Sequence, residues 1–179
     1  MTRVVFVKDD ATLIYPSSGI SGVPVPIGND VSIPLPAQGS VLSMSLPIPI
    51  ASGRIYFSQG TLNFSMVKTP NGDGLVQPSV TNLQDPSSAI NRGFIEFTYS
   101  TDLALWANIS YVDFVGLPLG LSLVARDGRT QIIKGLGADS VSRICNSLVE
   151  QTEPLRVCRR LFHLSQAAMV ACSWPAHQR

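Results

Sequence analysis

Short segments in which apolar and polar residues alternate fill most of the first 130 residues, and turn-forming residues separate them. Residues 41–46, VLSMSL, show the alternation most clearly, because an extended backbone places the two leucines and the methionine on one face and the serines on the other. Most of the 13 prolines lie between residues 16 and 86, where they suit strand edges and loops. Closely spaced strands of this kind predict an all-β sandwich or barrel.

Two further segments repeat the alternation. They are residues 53–58, GRIYFS, and residues 61–67, TLNFSMV, and the Gln59-Gly60 pair between them predicts a tight hairpin turn. In the second segment Leu62, Phe64 and Met66 would share the buried face. Residues 69–79, TPNGDGLVQPS, predict a loop by composition, with NGDG as a hairpin tip.

The pattern changes in the last quarter of the chain. Residues 138–152, ADSVSRICNSLVEQT, carry apolar side chains at helical spacing after Asp139 or Ser140 as the N-cap, which predicts one helix. We therefore expect a β-sandwich over 1–135, a helix over 136–153 and a divergent, poorly ordered tail without strands over 154–179. All three cysteines lie in the last 35 residues, and their odd number makes free thiols the expectation.

Charge and hydropathy exclude several classes of partner. The net charge is only +1, from 13 basic and 12 acidic residues, so nucleic acid is not an expected partner. No apolar run reaches the roughly 18 residues of a membrane span, and the N-terminus does not resemble a secretory signal. Taken literally, the chain would be cytoplasmic. A nearly neutral, polar surface suits an uncharged partner such as a carbohydrate.

Two isolated acids stand out within the apolar, aromatic residues 93–118. Glu96 lies in FIEFTY and Asp113 in YVDF, where an ionised carboxylate would be costly to bury. A hairpin with its turn near residues 100–102 would bring both acids to one sheet, with Glu96 and Thr98 on its open face. Two carboxyls across a groove can cleave a glycosidic bond, one as acid and one as base or nucleophile.

Other readings of the same residues stay open. Trp106 and Tyr111 could stack on sugar rings, but strand aromatics are commonly core residues, and isolated acids commonly protect sheet edges. Asn63 and Asn108 match the glycosylation acceptor pattern within predicted strands. The two histidines lie in the tail without a recognisable partner acid, so they indicate neither a catalytic triad nor a zinc site.

Three segments in the same order resemble glycoside hydrolase family 64, the endo-β-1,3-glucanases with a thaumatin-like fold. These are GRIYFS, GLVQPSVTNLQDPSSAINRGFIEFTY and ANISYVDFVGLPLGLSL. The resemblance runs from about residue 3 to residue 151 and is densest over 54–123. It implies a mainly β fold: a thaumatin-like β-sandwich with one C-terminal helix from a truncated α/β portion, and a glucan-binding groove between the two.

The resemblance also implies an activity and a set of residues. The family hydrolyses β-1,3-glucan with inversion, outside the cell, and needs no metal or other cofactor. Glu96 falls on the general-acid position and Asp113 on the general-base position, while Thr98 and Trp106, with Tyr111, are the expected substrate-binding residues. The expected partner is therefore a β-1,3-glucan polysaccharide bound by a monomer, without nucleic acid or membrane.

The chain departs from the family in its length, in lacking a secretion signal, and in a tail that resembles nothing in the family after about residue 154. We expect the missing groove wall to impair substrate positioning. Two alternatives follow. The chain could be a thaumatin-like protein that binds β-glucan without cleaving it, or a truncated product with no function of its own.

Overall fold

The computed structural model describes residues 2–149 and 167–175, and these residues form a mainly β protein with one helix. The prediction of a mainly β fold is confirmed. The strands are β1 (Thr2–Val7), β2 (Leu13–Ile14), β3 (Val25–Pro26), β4 (Ile33–Pro34), β5 (Ile50–Ser58), β6 (Ser65–Thr69), β7 (Gly72–Val76), β8 (Arg92–Tyr99), β9 (Leu105–Ser110), β10 (Leu121–Val124), β11 (Thr130–Ile133) and β12 (Ala167–Pro175), with helix α1 (Ser140–Val149) before the last strand.

One large antiparallel sheet organises the described chain. Its strand order is β2-β1-β12-β5-β8-β9, with β4 also pairing with β12, and smaller sheets are formed by β3-β6-β7 and by β10-β11. Strand β12 lies between β1 and β5, and its register joins Thr2 to Pro175 and Ala167 to Ser58. The tail therefore contributes a strand, which corrects the expectation of a tail without one; its sequence showed no readable period.

The first face of the large sheet packs against the small sheet β3-β6-β7. Its core contains Phe6 from β1, Tyr56 from β5 and Phe94 from β8, and Phe64 and Met66 approach from the other side. The Phe64 ring meets Phe6 and Tyr56 edge-on, with ring centroids 5.4 and 5.5 Å apart. Leu62, Phe64 and Met66 are all buried, as their spacing predicts.

The second face is covered by an irregular segment. Val7, Ile50 and Phe97 are buried there, and Met44 and Leu46 pack against them. Met44 and Leu46 point inward between exposed neighbours as predicted, but Leu42 is exposed and residues 41–46 form no strand, so the prediction of a strand is wrong. Alternation alone does not supply a hydrogen-bonding partner strand.

The hairpin predicted at Gln59-Gly60 is also wrong. Strand β5 pairs with β12 and β8, whereas β6 pairs with β3 and β7, so the chain passes from one sheet to the other at this turn. The tight hairpin is instead β6–β7, where Thr69 pairs with Gly72. The predicted tip is confirmed, but Gly72–Val76 is a strand and not a loop.

The predicted helix and the predicted β8–β9 hairpin are both confirmed. Helix α1 begins at Ser140, directly after Asp139, and the carbonyl of Asp139 accepts a hydrogen bond from the Arg143 N–H at 3.0 Å. Cys145 is disulfide-bonded, which corrects the expectation of a free thiol there. Within the described ranges, no helix has the length and apolar character needed to span a membrane. The division into 1–135, 136–153 and 154–179 stays a prediction.

Gly116 sits where the chain returns against strand β8. A Cβ at Gly116 would lie 1.8 Å from the Arg92 carbonyl oxygen, a backbone atom that cannot move without disturbing the sheet. We expect Gly116→Ala to lower the free energy of unfolding by about 1–3 kcal/mol because of this overpacking. Gly28→Ala is the matched control, since a Cβ there meets nothing within 4 Å. Urea unfolding of both variants checks the prediction; equal stabilities would contradict it.

Candidate active site

Glu96 lies in the middle of β8 and on the same face as Phe94. It pairs across the sheet with Arg54 of β5 on one side and with Asn108 of β9 on the other. The small sheet covers this face at Phe94 but leaves Glu96 partly open, with 33% of its side chain exposed. A carboxylate at the border between core and solvent is what the period-2 pattern of FIEFTY predicts.

The two carboxylate oxygens of Glu96 have different surroundings. Oε1 accepts hydrogen bonds from Arg54 Nε at 3.0 Å and from Arg54 Nη2 at 2.7 Å. Oε2 accepts a longer contact from the Asn108 side-chain amide at 3.4 Å. The ion pair compensates for the partial desolvation of Glu96. Oε2 is therefore the oxygen with capacity left for a ligand or a proton.

Arg54 is held in place by Gln77, which directly follows β7 of the small sheet. Its Nη1 donates to Gln77 Oε1 at 2.6 Å and to the Tyr56 hydroxyl at 3.3 Å, and that hydroxyl donates to the same Gln77 oxygen. Burial raises the pKa of the Tyr56 phenol, although the Arg54 guanidinium opposes this. Burial alone would lower the pKa of Arg54, but its contacts with Tyr56 and Glu96 outweigh burial and raise it. Arg54 therefore stays charged.

An open cavity of about 380 Å³ lies above Glu96 and has a mostly polar lining. Glu96, Thr98 and Trp106 all line it. Thr98 of β8 and Trp106 of β9 are paired across the two strands. Trp106 is 62% exposed, which is unusual for an indole unless it has a binding partner. The full lining is Ser52, Gly53, Arg54, Gln77, Glu96, Phe97, Thr98, Trp106 and Asn108. The structure thus brings together three of the five predicted site residues.

Asp113 lies outside this lining, in the loop that follows β9. The sequence predicted it within a strand, but β9 ends at Ser110, and Asp113 has a left-handed backbone with φ of 70°. That prediction is corrected, because a left-handed residue ends the extended pairing. Asp113 is exposed. Ser110, the last residue of β9, pairs with Phe94 near the start of β8. The loop that carries Asp113 therefore begins beside that part of β8.

Contacts from strand β8 fix the loop around Asp113. The Leu117 N–H donates to the Arg92 carbonyl at 3.1 Å, and the Phe114 ring lies 6.0 Å from the Phe94 ring. The Arg92 guanidinium lies 5.3 Å from the Phe114 ring centroid. Burial lowers the pKa of Arg92. Asp113 therefore sits on a loop that is packed onto the same strand that carries Glu96.

Tyr111 does not line the cavity with Trp106. Its hydroxyl is buried, and it has no hydrogen-bond partner among the described residues. Its proposed sugar-stacking role, like the catalytic roles of Glu96 and Asp113, stays a prediction. The described part of the chain contains no group of three or more His, Cys, Asp or Glu residues suited to a metal ion.

Arg54, Gln77 and Asn108 also belong to the site, although they were not among the residues predicted from the sequence. Arg54 could have been noticed, because GRIYFS places an arginine two residues before Tyr56, on the face that strand alternation assigns to Tyr56. The sequence around Asn108 indicates only a glycosylation acceptor, which nothing in the structure tests. Gln77 gave no signal, because its role depends on the packing of two sheets.

Comparison with known proteins identifies the family to which the chain belongs. A family model of β-1,3-glucanases matches residues 1–161, and the chain therefore belongs to glycoside hydrolase family 64. The match continues past residue 154, so the expectation that nothing beyond that point resembles the family is corrected. No curated protein matches the chain significantly.

A solved structure is also similar to this chain. It is a laminaripentaose-producing β-1,3-glucanase in complex with laminaritetraose, with 28% sequence identity and a TM-score of 0.69. The similarity covers 84% of this chain and 43% of that one. The present chain thus corresponds to less than half of the length of that enzyme.

Proposed function

We propose that this chain is an inverting endo-β-1,3-glucanase that acts on β-1,3-glucan polysaccharide. The observation that carries the proposal is the position of Glu96. Its carboxylate lies in an open cavity beside the exposed Trp106, with Oε2 not engaged by Arg54, in a chain of this hydrolase family. Action as a monomer, outside the cell and within a thaumatin-like architecture belongs to the same proposal.

The proposed reaction uses Glu96 as the general acid. A proton on Oε2 passes to the glycosidic oxygen as the bond from that oxygen to the anomeric carbon breaks. Oε1 remains bonded to Arg54 throughout, which keeps the carboxyl plane fixed. A sugar leaving group is a poor one without a proton, so this transfer lowers the barrier to bond cleavage.

Asp113 is the proposed general base. It would take a proton from a water molecule as the water oxygen attacks the anomeric carbon from the opposite face, which inverts the configuration. The two carboxyl groups of inverting glycosidases stand roughly 6.5–9.5 Å apart, to leave room for that water. Support comes from the loop, which is packed onto the start of β8, and from the exposure of Asp113.

Laminarin hydrolysis followed by proton NMR tests the proposal. An inverting enzyme acting on β-linkages releases the α-anomer first, and mutarotation then produces the β-anomer. First appearance of the β-anomer would contradict inversion, and the absence of new reducing ends would contradict hydrolysis. Measuring early time points is essential, because mutarotation erases the difference.

A second candidate is a non-catalytic β-glucan-binding protein. It is favoured by the length of the chain, which corresponds to 43% of the similar glucanase, so that residues of a groove wall can lie outside it. The exposed Trp106, a residue suited to binding sugar, is present. Incubation with insoluble curdlan separates the two functions. Sedimentation of the protein with curdlan, without release of sugar from laminarin, would favour binding alone.

Trp106→Ala tests the proposed sugar platform. Because stacking an aromatic ring on a sugar buries apolar area, we expect removal of the indole to raise KM for laminarin about 10-fold, with a smaller change in kcat. Leu83→Ala is the control, since Leu83 is 82% exposed and does not line the cavity. Initial rates over a laminarin concentration series give both constants. An unchanged KM would remove Trp106 from the binding site.

A further inference from the structure

All three guanidinium nitrogens of Arg54 donate hydrogen bonds, and together these bonds connect the large sheet to the small sheet. Nε and Nη2 donate to Glu96 Oε1, and Nη1 donates to Gln77 Oε1. Gln77 directly follows β7 of the small sheet, whereas Arg54 and Glu96 belong to the large sheet. The position of the Glu96 carboxylate therefore depends on the packing of the small sheet.

Gln77 is itself fixed by a buried group. Its Oε1 accepts hydrogen bonds from both Arg54 Nη1 and the hydroxyl of Tyr56, whose side chain is in the aromatic core between the sheets. The Arg54 guanidinium also lies 4.8 Å from the Phe94 ring centroid. These contacts leave the guanidinium little freedom, so it can orient the carboxylate that it binds.

We infer that Arg54 is a positioning residue for Glu96, and that Gln77 holds Arg54 in the orientation that turns Glu96 Oε2 toward the substrate. This inference rests on the proposed function, in which Glu96 donates the proton. Arg54 also lines the cavity, so a direct role in binding glucan is the competing explanation. The two roles differ in what they change, because positioning affects kcat and binding affects KM.

Kinetics of Arg54→Gln test the inference, with Arg129→Gln as the matched control on an 84% exposed arginine. We expect kcat for laminarin to fall about 10- to 100-fold in Arg54→Gln, with KM changed less than about twofold. A raised KM with unchanged kcat would overturn the inference.

Two further variants separate charge from geometry. Arg54→Lys keeps the charge but loses the planar guanidinium that bonds Glu96 through two nitrogens, so we expect kcat to stay reduced. Gln77→Ala leaves Arg54 in place without its anchor, and we expect a reduction in kcat of about 3- to 10-fold. Gln131→Ala, on the exposed strand β11, is its control. Full activity of Gln77→Ala would overturn the role of Gln77.

A measurement without catalysis keeps this inference distinct from the proposed function. The chain has three glutamates, Glu96, Glu150 and Glu153, so carboxyl-labelled glutamate gives three NMR signals that Glu96→Gln assigns. At one fixed neutral pH, the chemical shift of the Glu96 carboxyl carbon should change in Gln77→Ala, because Arg54 loses its anchor, and stay unchanged in Gln131→Ala. An unchanged shift in Gln77→Ala would overturn the inference. A changed shift, together with a parent chain that does not hydrolyse laminarin, would overturn only the proposed function.

Discussion

Glu96→Gln is expected to lower the rate of laminarin hydrolysis about 1,000-fold, the largest loss of any single change proposed here. Glutamine keeps the shape of the side chain and an oxygen that can accept from Arg54, but it cannot donate a carboxylic proton. Reducing-sugar assays of the purified variant measure the loss. Asp127→Asn is the control, because it alters a half-exposed carboxylate in the turn between β10 and β11.

The leaving group provides a sharper test of the Glu96 role. A phenolic leaving group of low basicity departs without a proton, so an aryl laminarioligoside should lose far less activity than laminarin in Glu96→Gln. Equal losses on both substrates would contradict a general-acid role. Unchanged curdlan binding by the variant would show that the loss is chemical.

Asp113→Asn is expected to reduce hydrolysis by about 100- to 1,000-fold on both laminarin and the aryl substrate. The water must be deprotonated whichever group leaves, so a better leaving group gives no rescue. This difference from Glu96→Gln assigns the two roles independently. Recovery of Asp113→Asn on the aryl substrate would contradict the assignment of Asp113 as base.

Backbone geometry decides which substitution of Asp113 is informative. Asp113 has φ of 70°, a left-handed conformation that asparagine adopts readily and alanine does not. Asparagine should leave the free energy of unfolding within about 0.5 kcal/mol of the parent value, whereas Asp113→Ala should lower it by about 1 kcal/mol. Thermal unfolding of both variants separates a lost base from a disturbed loop.

The local parts of this fold could be predicted from sequence, because their causes are local. The β8–β9 hairpin follows from two alternating segments joined by a short turn, and alternation placed Phe97 in the core and Glu96 on the opposite face. The helix at Ser140–Val149 followed from its apolar spacing and its N-cap. The pairing of β5 with β12 could not be foreseen, since it joins segments more than 100 residues apart.

The same distinction between local and long-range causes applies to the site. Alternation predicted that Glu96 and Thr98 share an open face with a nearby tryptophan, and the cavity contains all three. The Arg54–Gln77 contact joins two sheets whose packing no periodicity encodes. The left-handed turn at Asp113 was missed, because YVDF has the composition of a strand and contains no glycine to indicate the turn.

Strand β8 has core packing on both of its faces, and this makes the strand intolerant of insertions and deletions. Phe97 enters one core, while Phe94 enters the other beside the open position of Glu96. Inserting a single residue before Glu96 would exchange the two faces and drive the carboxylate into the core occupied by Ile50 and Val7. Length changes in homologous chains should therefore be confined to the loops that flank β8, whereas the strand itself keeps its length.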